Sequence, residues 1–355
     1  MSDGLIRIGI VGAGQIARTK HIPGFQALAG VHLMGVCNRH RESSTRVSRD
    51  FGIPKIYQSW EHLVDDPAID AVVIGTWPYL HCPITLAALD AGKHVLTQAR
   101  MAMNAREAQR MLDRSKEVPN LVAMVVPSPY GLTGEAFLKK QIEDGFLGEL
   151  RELHVKGLAD TLADPKTPIG WRQATKYSGF NMLNLGILYE TVIRFVAPAN
   201  RVLAYASKLI KIRREPKLGK RVIVGTPDSV QVLTTQTDGS VGVYSVSGVT
   251  WHNTGSEMVL YGSDGTLAYD FTRDEIRAAS RKETELKPLV IPPKLRGGWS
   301  VEADFVGAIR GEKPVTHTDF ATGVRYMQFT EAVARSSRHQ LPVHLPLVEF
   351  SNPSL

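Results

Sequence analysis

Short apolar runs alternate with helix-like segments through the first part of the chain. The runs are rich in β-branched residues and have the length of buried strands. Because continuous apolar strands separated by helices are typical of a parallel sheet covered on both faces, this part predicts an α/β, doubly wound fold. The predicted strands are 6–11, 31–37, 71–75, 94–97 and 121–126.

The pattern changes after about residue 130. A helical stretch over 134–144 is followed by longer strands, and turn signals such as Thr237-Asp238-Gly239 separate several of them, as hairpins require. We therefore predict a Rossmann domain over 1–130 and an α+β domain with a largely antiparallel open sheet over 131–355. A final helix near 321–337 can pack back on the first domain. The strands predicted for the second domain are 151–157, 201–208, 229–235, 241–248 and 257–261.

Composition is that of a soluble globular chain, with 43% hydrophobic residues and a formal charge of +7 over 355 residues. No run approaches the ~20 apolar residues of a membrane span, and Met1 leads into the first strand without a signal-peptide pattern. The densest basic stretch, 208–220, lacks interleaved aromatic residues and is predicted to be a solvated loop or strand edge. We expect a cytoplasmic protein with no membrane or nucleic-acid partner.

The two cysteines, Cys37 and Cys82, are too few for a disulfide framework. They also lack CxxC or Cys/His ligand spacing. We therefore expect two buried thiols in a reducing compartment and no metal site.

Residues 12–17 (GAGQIA) lie at the end of the first strand and open a helix. Gly12 permits a tight turn, Gly14 lets the backbone approach a pyrophosphate, and Ala17 lets helix and strand pack closely. This context predicts a dinucleotide site, and the alternative is a glycine-rich turn that has lost its ligand. The loop residues predicted to bind the cofactor are Gly12, Gly14, Gln15 and Ile16.

In such a domain, the residue at the end of the second strand binds the adenosine ribose. An NAD site places Asp or Glu there, whereas an NADP site supplies a cation for the 2′-phosphate. This chain has Asn38, Arg39, His40 and Arg41. Two guanidinium groups and no carboxylate favour NADP. If Arg39 and Arg41 are only solvent-exposed loop residues, the cofactor can be NAD, because Asn38 can still bond a ribose hydroxyl.

Further motifs run nearly from end to end of the chain. They are 70–74 followed by Thr76 and His81, then 87–96, 145–150, 262–267 and 304–309. With these motifs and the glycine loop, the chain resembles the Gfo/Idh/MocA family (glucose-fructose oxidoreductase, inositol 2-dehydrogenase). The resemblance implies a Rossmann domain, a second domain whose open sheet often forms the oligomer interface, and a carbohydrate-like substrate bound beside the nicotinamide. A homodimer or homotetramer is therefore expected.

The resemblance breaks at the residues that usually perform catalysis. The family's Glu-Lys-Pro is replaced by Gln98, Ala99 and Arg100. Its helix-borne aspartate aligns with Asn184 and its histidine with Leu188. Alcohol oxidation needs a group that removes the hydroxyl proton, and neither an amide nor an alkyl group can do so. The resemblance therefore implies an atypical member, in which we expect Asn184 to orient the substrate and Leu188 to form a pocket wall.

Other residues are candidates for the missing roles. Lys176 and Tyr177, just before the signature glycine, are general-base types when their pKa values are lowered, although Lys176 as a solvated cation and Tyr177 as packing are the alternatives. Arg100 and Arg172 are candidates for binding a polar substrate, and an ion pair is an equal alternative for Arg100. The remaining cofactor candidates, at the carboxyl edge of the sheet, are Thr76, Trp77, His81 and Gln98. A structural role is the alternative for His81, and an ordinary turn residue is the alternative for Trp77.

The sequence predicts an NAD(P)-dependent oxidoreductase that transfers hydride to or from a sugar, polyol or related hydroxy or keto compound. Two alternatives stay open because the usual acid and base are missing. One is redox-neutral chemistry, such as elimination or isomerisation, on a tightly bound nucleotide. The other is a nucleotide-binding partner protein without turnover.

Overall fold

The computed structural model describes residues 5–216, 219–315 and 317–350. The chain divides into two compact units, Met1–Pro127 with Ser300–Met327 and Ser128–Trp299 with Gln328–Leu355. We call these the first and second unit. Residues 300–327, which the predicted boundary at 130 left in the second domain, thus belong to the first unit.

The predicted strands and helices occur in the predicted order, and the structure adds elements that the sequence did not predict, among them two six-residue strands over 265–270 and 275–280. The strands are β1 (Ile6–Val11), β2 (Val31–Cys37), β3 (Lys55–Ile56), β4 (Ala71–Ile74), β5 (His94–Thr97), β6 (Ala123–Val125), β7 (Leu150–Leu158), β8 (Ala199–Ser207), β9 (Ile212–Arg214), β10 (Arg221–Ile223), β11 (Ser229–Gln236), β12 (Val241–Ser247), β13 (Ser256–Gly262), β14 (Gly265–Asp270), β15 (Glu275–Ser280), β16 (Lys287–Pro288), β17 (Thr318–Asp319) and β18 (Val343–His344). The helices are α1 (Ile22–Gln26), α2 (Arg41–Phe51), α3 (Trp60–Val64), α4 (His81–Asp90), α5 (Ala105–Glu117), α6 (Glu135–Glu143), α7 (Thr175–Ser178), α8 (Leu185–Val192), α9 (Val301–Ile309) and α10 (Phe320–His339).

The first unit contains a seven-stranded sheet in the order β17-β6-β5-β4-β1-β2-β3. Strands β1 to β6 run parallel, and β17 pairs antiparallel with β6. The strand order reverses between β1 and β4, which is where doubly wound sheets bind ligands. Strands β4 and β5 are buried at every position, as continuous apolar runs between two helical layers require. The predicted Rossmann fold is confirmed.

The connection after β1 is less regular than the predicted helix. Residues Ala17–His21 form one π-helical turn, and only then does α1 begin. Such turns widen a helix by one residue and are frequent at functional sites. His21 is the last residue of this turn, and its side chain is fully buried.

The second unit contains a nine-stranded sheet in the order β16-β15-β14-β13-β7-β12-β11-β8-β18. All neighbours pair antiparallel except β7 and β12, which are parallel. Helix α8 lies against β7, and the last turns of α10 reach β8, where Ser336 Oγ accepts a hydrogen bond from the N–H of Ala204 at 2.9 Å. The predicted, largely antiparallel sheet is confirmed.

The basic stretch 208–220 is predicted to be a solvated loop or strand edge. Arg213 departs from this prediction. This residue lies on β9, which pairs with β10 in a small separate sheet, and it is 1% exposed. Its guanidinium donates to the main-chain oxygens of Leu162, Asp164 and Thr167. A buried guanidinium needs such acceptors, and the charge count of a segment does not reveal them. Residues 217 and 218 of this stretch lie outside the described residues.

Candidate functional site

The glycine loop has the geometry that a pyrophosphate site requires. Gly12 adopts φ +87°, and a Cβ placed there would lie 2.6 Å from the main-chain nitrogen of Thr76. A Cβ on Gly14 would meet nothing within 4 Å, so the backbone at this residue faces open space. Ala17 is 2% exposed and packs beside Gly75, as the third small position of the motif predicts. The loop therefore packs tightly against the main chain after β4 at Gly12, and its backbone is accessible to a ligand at Gly14.

The loop is bonded to the end of β2. The N–H of Ala13 donates to Oδ1 of Asn38 at 2.7 Å, and the N–H of Asn38 donates to Oγ of Ser44 at 2.9 Å. Arg39 and Arg41 are exposed, and neither forms an ion pair with another described residue. Two guanidinium groups thus stand beside the loop without a carboxylate partner.

Thr76 and His81 lie where β4 ends, at the edge of the sheet that carries the loop. Thr76 Oγ1 is buried and has no hydrogen-bond partner among the described residues. The ring nitrogens of His81 lie 3.0 Å from the main-chain oxygen of Thr76 and 2.8 Å from that of Arg100. Burial lowers the pKa of His81, which is 1% exposed. Trp77 is half-buried and precedes the 3₁₀ turn Pro78–Leu80.

Gln98 and Arg100 follow β5. Gln98 is half-buried and donates its main-chain N–H to the oxygen of Ile74 at 3.0 Å. Arg100 is 8% exposed, and the peptide bond between Ala99 and Arg100 is cis. The segments after β4 and β5 are therefore bonded to each other at one edge of the sheet, through the main chain of Gln98 and the ring of His81.

Behind Gln98 lies a buried pair that the sequence did not reveal. Gln98 Nε2 is 2.5 Å from Nε2 of His21, and Nδ1 of the same ring is 2.5 Å from Oε1 of Glu302. The side chain of His21 is 0% exposed and that of Glu302 5%. His21 stands four residues after the end of the glycine motif, and this nearness to a predicted cofactor loop was the one signal that the sequence offered. Glu302 is 281 positions away, so no local pattern could connect them.

Asn184 and Leu188 are brought together in the second unit. A Cβ placed on Gly157 of β7 would lie 2.5 Å from Leu188 Cδ1 and 2.9 Å from Asn184 Oδ1. Asn184 stands at the N-terminal cap of α8, and its Nδ2 donates to Oη of Tyr130 at 3.4 Å. Leu188 is fully buried. Neither side chain can accept a proton from an alcohol near neutral pH.

Lys176, Tyr177 and Arg172 are neighbours on the segment before α8. Lys176 is exposed on α7, and its ammonium lies 4.8 Å from the ring centroid of Tyr177. The guanidinium of Arg172 lies 4.4 Å from the ring centroid of Trp171. The main-chain oxygen of Arg172 accepts hydrogen bonds from the side chains of Ser178 and Asn181, which fixes this turn.

The described residues include neither a candidate metal cluster nor a membrane-spanning helix. These residues contain no group of three or more His, Cys, Asp and Glu side chains that could hold a metal ion. In the same part of the chain, no helix combines the length and the apolar character of a bilayer span. Cys37 and Cys82 are both buried free thiols, as predicted.

A doubly wound sheet with an open glycine loop at its switch point defines a dinucleotide-binding protein of the Rossmann class. Residues 6–125 match the family GFO_IDH_MocA, described as an oxidoreductase family with an NAD-binding Rossmann fold. Residues 136–268 match the C-terminal domain of the same family. The chain belongs to the Gfo/Idh/MocA oxidoreductase family.

Among curated proteins, levoglucosan dehydrogenase of Pseudarthrobacter phenanthrenivorans is 26% identical over 260 residues, which are 69% of this chain and 66% of that protein, just under two thirds of its length. Myo-inositol 2-dehydrogenase of Thermotoga maritima is 22% identical over 271 residues, 76% of either chain. Among solved structures, levoglucosan dehydrogenase in complex with NADH and L-sorbose matches with a TM-score of 0.87 at 24% identity, covering 97% of this chain and 100% of the other. The WlbA dehydrogenase of Chromobacterium violaceum with NADH and UDP-GlcNAcA matches with a TM-score of 0.81 at 19% identity, covering 98% of each chain. These structural likenesses support the fold.

Proposed function

We propose that this protein is an NAD(P)-dependent oxidoreductase that transfers hydride between its cofactor and a sugar, polyol or related hydroxy or keto compound. The observation behind this proposal is the loop that closes at Gly12 and opens at Gly14 beside the switch between β1 and β4. Such a loop admits a pyrophosphate to main-chain N–H groups, and this is the chemistry the fold uses for dinucleotides.

The residues present fit a dinucleotide. The open space at Gly14 and the orphaned hydroxyl of Thr76 leave room and a free polar atom on one edge of the sheet. When bound, the nicotinamide supplies the hydride acceptor or donor, and the chain binds and orients it. The residues proposed to hold the pyrophosphate are Gly12, Gly14, Gln15 and Ile16, those for the adenosine ribose are Asn38, Arg39 and Arg41, and those for the nicotinamide half are Thr76, Trp77 and Gln98. His81, predicted with them, is buried with both ring nitrogens against main-chain oxygens, so its proposed role is to support the turn after β4.

We propose NADP as the preferred cofactor, because Arg39 and Arg41 are exposed and form no ion pair with another described residue, and because residues 38–41, directly after β2, include no acid. NAD is the second candidate. It is favoured by the NADH in the solved complexes of levoglucosan dehydrogenase and by the amide of Asn38, which can bond a ribose hydroxyl.

A sugar-like substrate is proposed from the names of the relatives, levoglucosan dehydrogenase and myo-inositol 2-dehydrogenase. In this proposal Asn184 orients a substrate hydroxyl, Leu188 walls the pocket, and Arg100 and Arg172 bind polar groups. The proton of the hydroxyl goes to Lys176 or Tyr177. The amide and alkyl groups at 184 and 188 equally favour a second candidate, redox-neutral chemistry or binding without turnover.

The test begins with the purified protein, from which bound nucleotide is released and identified by mass spectrometry. The absorbance at 340 nm is then followed with a panel of sugars and polyols. Net oxidation or reduction supports the oxidoreductase. Substrate conversion with no lasting absorbance change supports redox-neutral chemistry. If neither NAD nor NADP binds, the proposal is wrong.

We also propose that a second copy of this chain covers the exposed face of the second-unit sheet. Leu203, Leu233 and Val243 stand side by side on β8, β11 and β12, because Leu233 pairs with both neighbours. They are 41%, 54% and 39% exposed, and Tyr205 beside them is 61% exposed. Contiguous apolar side chains on one face are typical of an interface.

A cytoplasmic location stays a prediction, in keeping with the free thiols.

A further inference from the structure

Three side chains form a connected row behind the end of β5. Glu302, on α9, contacts His21, on the π-helical turn, and His21 contacts Gln98. The contacts join three separate stretches of the first unit. Burying a carboxylate and an imidazole costs free energy unless both are hydrogen-bonded. The contacts within this row are therefore needed for the two side chains to be buried here.

Gln98 stands at the position where it can meet a nicotinamide. In a doubly wound domain the adenosine half of the dinucleotide lies over β1 and β2, and the other half lies across the switch point. With the strand order of this sheet, a bound nicotinamide would lie over the carboxyl ends of β4 and β5. Gln98 directly follows β5, and its main chain is tied to the end of β4 at Ile74.

The row determines which end of the Gln98 amide is available to a ligand. A carboxylate can only accept hydrogen bonds, so Glu302 requires the proton of His21 to be on Nδ1. The amide NH₂ of Gln98 can only donate, so the other ring nitrogen, Nε2, accepts its bond. This leaves Gln98 Oε1 as an acceptor, which matches the NH₂ of a nicotinamide carboxamide.

The first unit makes room for the carboxylate at Gly24. A Cβ on Gly24, in α1, would lie 2.8 Å from Cγ, Cδ and Oε2 of Glu302. Any larger residue at this position would displace the Glu302 side chain. The glycine therefore admits the carboxylate to His21.

We propose that His21 and Glu302 are positioning residues that hold Gln98 with Oε1 toward the carboxamide of the bound nicotinamide. The inference rests on the proposed dinucleotide function and deepens it, because it assigns the recognition of the nicotinamide end to a specific row of side chains.

The test compares a dinucleotide with the same ligand lacking nicotinamide. The full chain is titrated by calorimetry with NADP and 2′-phospho-ADP-ribose, or with NAD and ADP-ribose if that pair binds more tightly. The ratio of the two affinities isolates the nicotinamide contribution. We expect Gln98→Leu to lower this ratio about tenfold and Glu302→Gln about fivefold, as the loss of a hydrogen bond predicts, with affinity for the ADP-ribose ligand unchanged.

Three further variants separate positioning from a general structural effect. The double variant Gln98→Leu/Glu302→Gln should resemble Gln98→Leu alone, because Glu302 acts only through Gln98. Gly24→Ala, which displaces Glu302 without changing charge, should lower the ratio as well, and serves if Glu302→Gln does not fold. Asp304→Asn, a buried carboxylate on the same helix that bonds Ser300 and Lys313, should leave the ratio unchanged.

An unchanged ratio in folded Glu302→Gln and Gly24→Ala would overturn the inference. Additive losses in the double variant, or an equal loss in Asp304→Asn, would overturn it too. These outcomes leave the proposed function intact. If the unmodified chain binds neither the dinucleotide nor its ADP-ribose part, the proposed function itself is wrong and the inference with it.

Discussion

The main-chain N–H of Ala13 and the side-chain oxygen of Asn38 are joined by a 2.7 Å hydrogen bond. This bond joins the glycine loop to the residue after β2, and so links the sites proposed for the pyrophosphate and for the ribose. Oδ1 of Asn38 accepts this bond, and no other described residue bonds its amide NH₂. Under the proposed function, we expect discrimination between NAD and NADP to depend on the charges of Arg39 and Arg41.

Arg39→Ala should weaken NADPH binding by about 1–3 kcal/mol and change NADH binding little, because only the 2′-phosphate offers a charge-assisted partner. Calorimetric titration with both nucleotides measures this. Arg106→Ala, an exposed arginine on α5, is the control and should change neither affinity. Equal losses for both nucleotides in Arg39→Ala would show that NADP is not selected at this position.

Gly14→Val should abolish dinucleotide binding while leaving the melting temperature nearly unchanged. The new side chain finds no protein atom within 4 Å of its Cβ, yet it fills the space a pyrophosphate needs. Gly12→Ala is the counterpart, since its Cβ would clash with the backbone at Thr76 and its φ is +87°. We expect that variant to lose stability. Full cofactor affinity in Gly14→Val would contradict the assigned loop.

Leu233→Lys should lower the molar mass in solution from that of an oligomer to that of one chain. A charge at the centre of the exposed apolar row would be desolvated at an interface. Light scattering coupled to size-exclusion chromatography gives the mass. Leu209→Lys, at a residue 64% exposed outside the strands, is the matched control and should keep the oligomer. If the unsubstituted chain already runs as a monomer, the proposed interface is wrong.

Asp66 should contribute to stability in a pH-dependent way. Its carboxylate accepts bonds from Lys55, from Tyr57 Oη at 2.6 Å and from the N–H of Ala68 at 2.7 Å. The bond from Lys55, then those from Tyr57 and Ala68, hold the pKa of Asp66 well below its usual value. A depressed folded pKa stabilises the fold above the unfolded value of ~4, and this stability is lost as the pH falls toward the folded value.

Asp66→Asn should therefore reduce the free energy of unfolding by about 1–2 kcal/mol at pH 7, and the difference from the unsubstituted chain should shrink in acid. Urea titrations at several pH values measure it. The exposed neighbour variant Asp65→Asn should show no such trend. A cost that is constant from pH 7 to strong acid would contradict the assigned ion pair.

Cys37 and Cys82 should resist alkylation in the folded protein. Burial raises the pKa of each thiol to about 11, so the reactive thiolate is scarce at pH 8. A chromogenic disulfide reagent should report almost no rapid reaction in buffer and two thiols per chain in denaturant. Rapid labelling of the native chain would show that one of these side chains is accessible.

Local patterns predicted much of the fold. Strands 6–11, 31–37 and 94–97 have the predicted bounds in the structure, because each is an apolar run ended by glycine or polar residues. The two-residue strands β3 and β17 were missed, since so short a segment carries no periodicity. The six-residue strands β14 and β15 were missed as well. The helix expected over 321–337 runs over Phe320–His339.

The sequence by itself determined the class of this protein. The order of buried strands and helices and the spacing of Gly12, Gly14 and Ala17 depend on neighbouring residues, and such short-range rules can be read along the chain. Only the tertiary structure decided which polar groups meet. Glu302 reaches His21, and Arg213 reaches the carbonyl oxygens of a distant loop, because burial forces each charged or polar group to find a partner wherever the fold brings one.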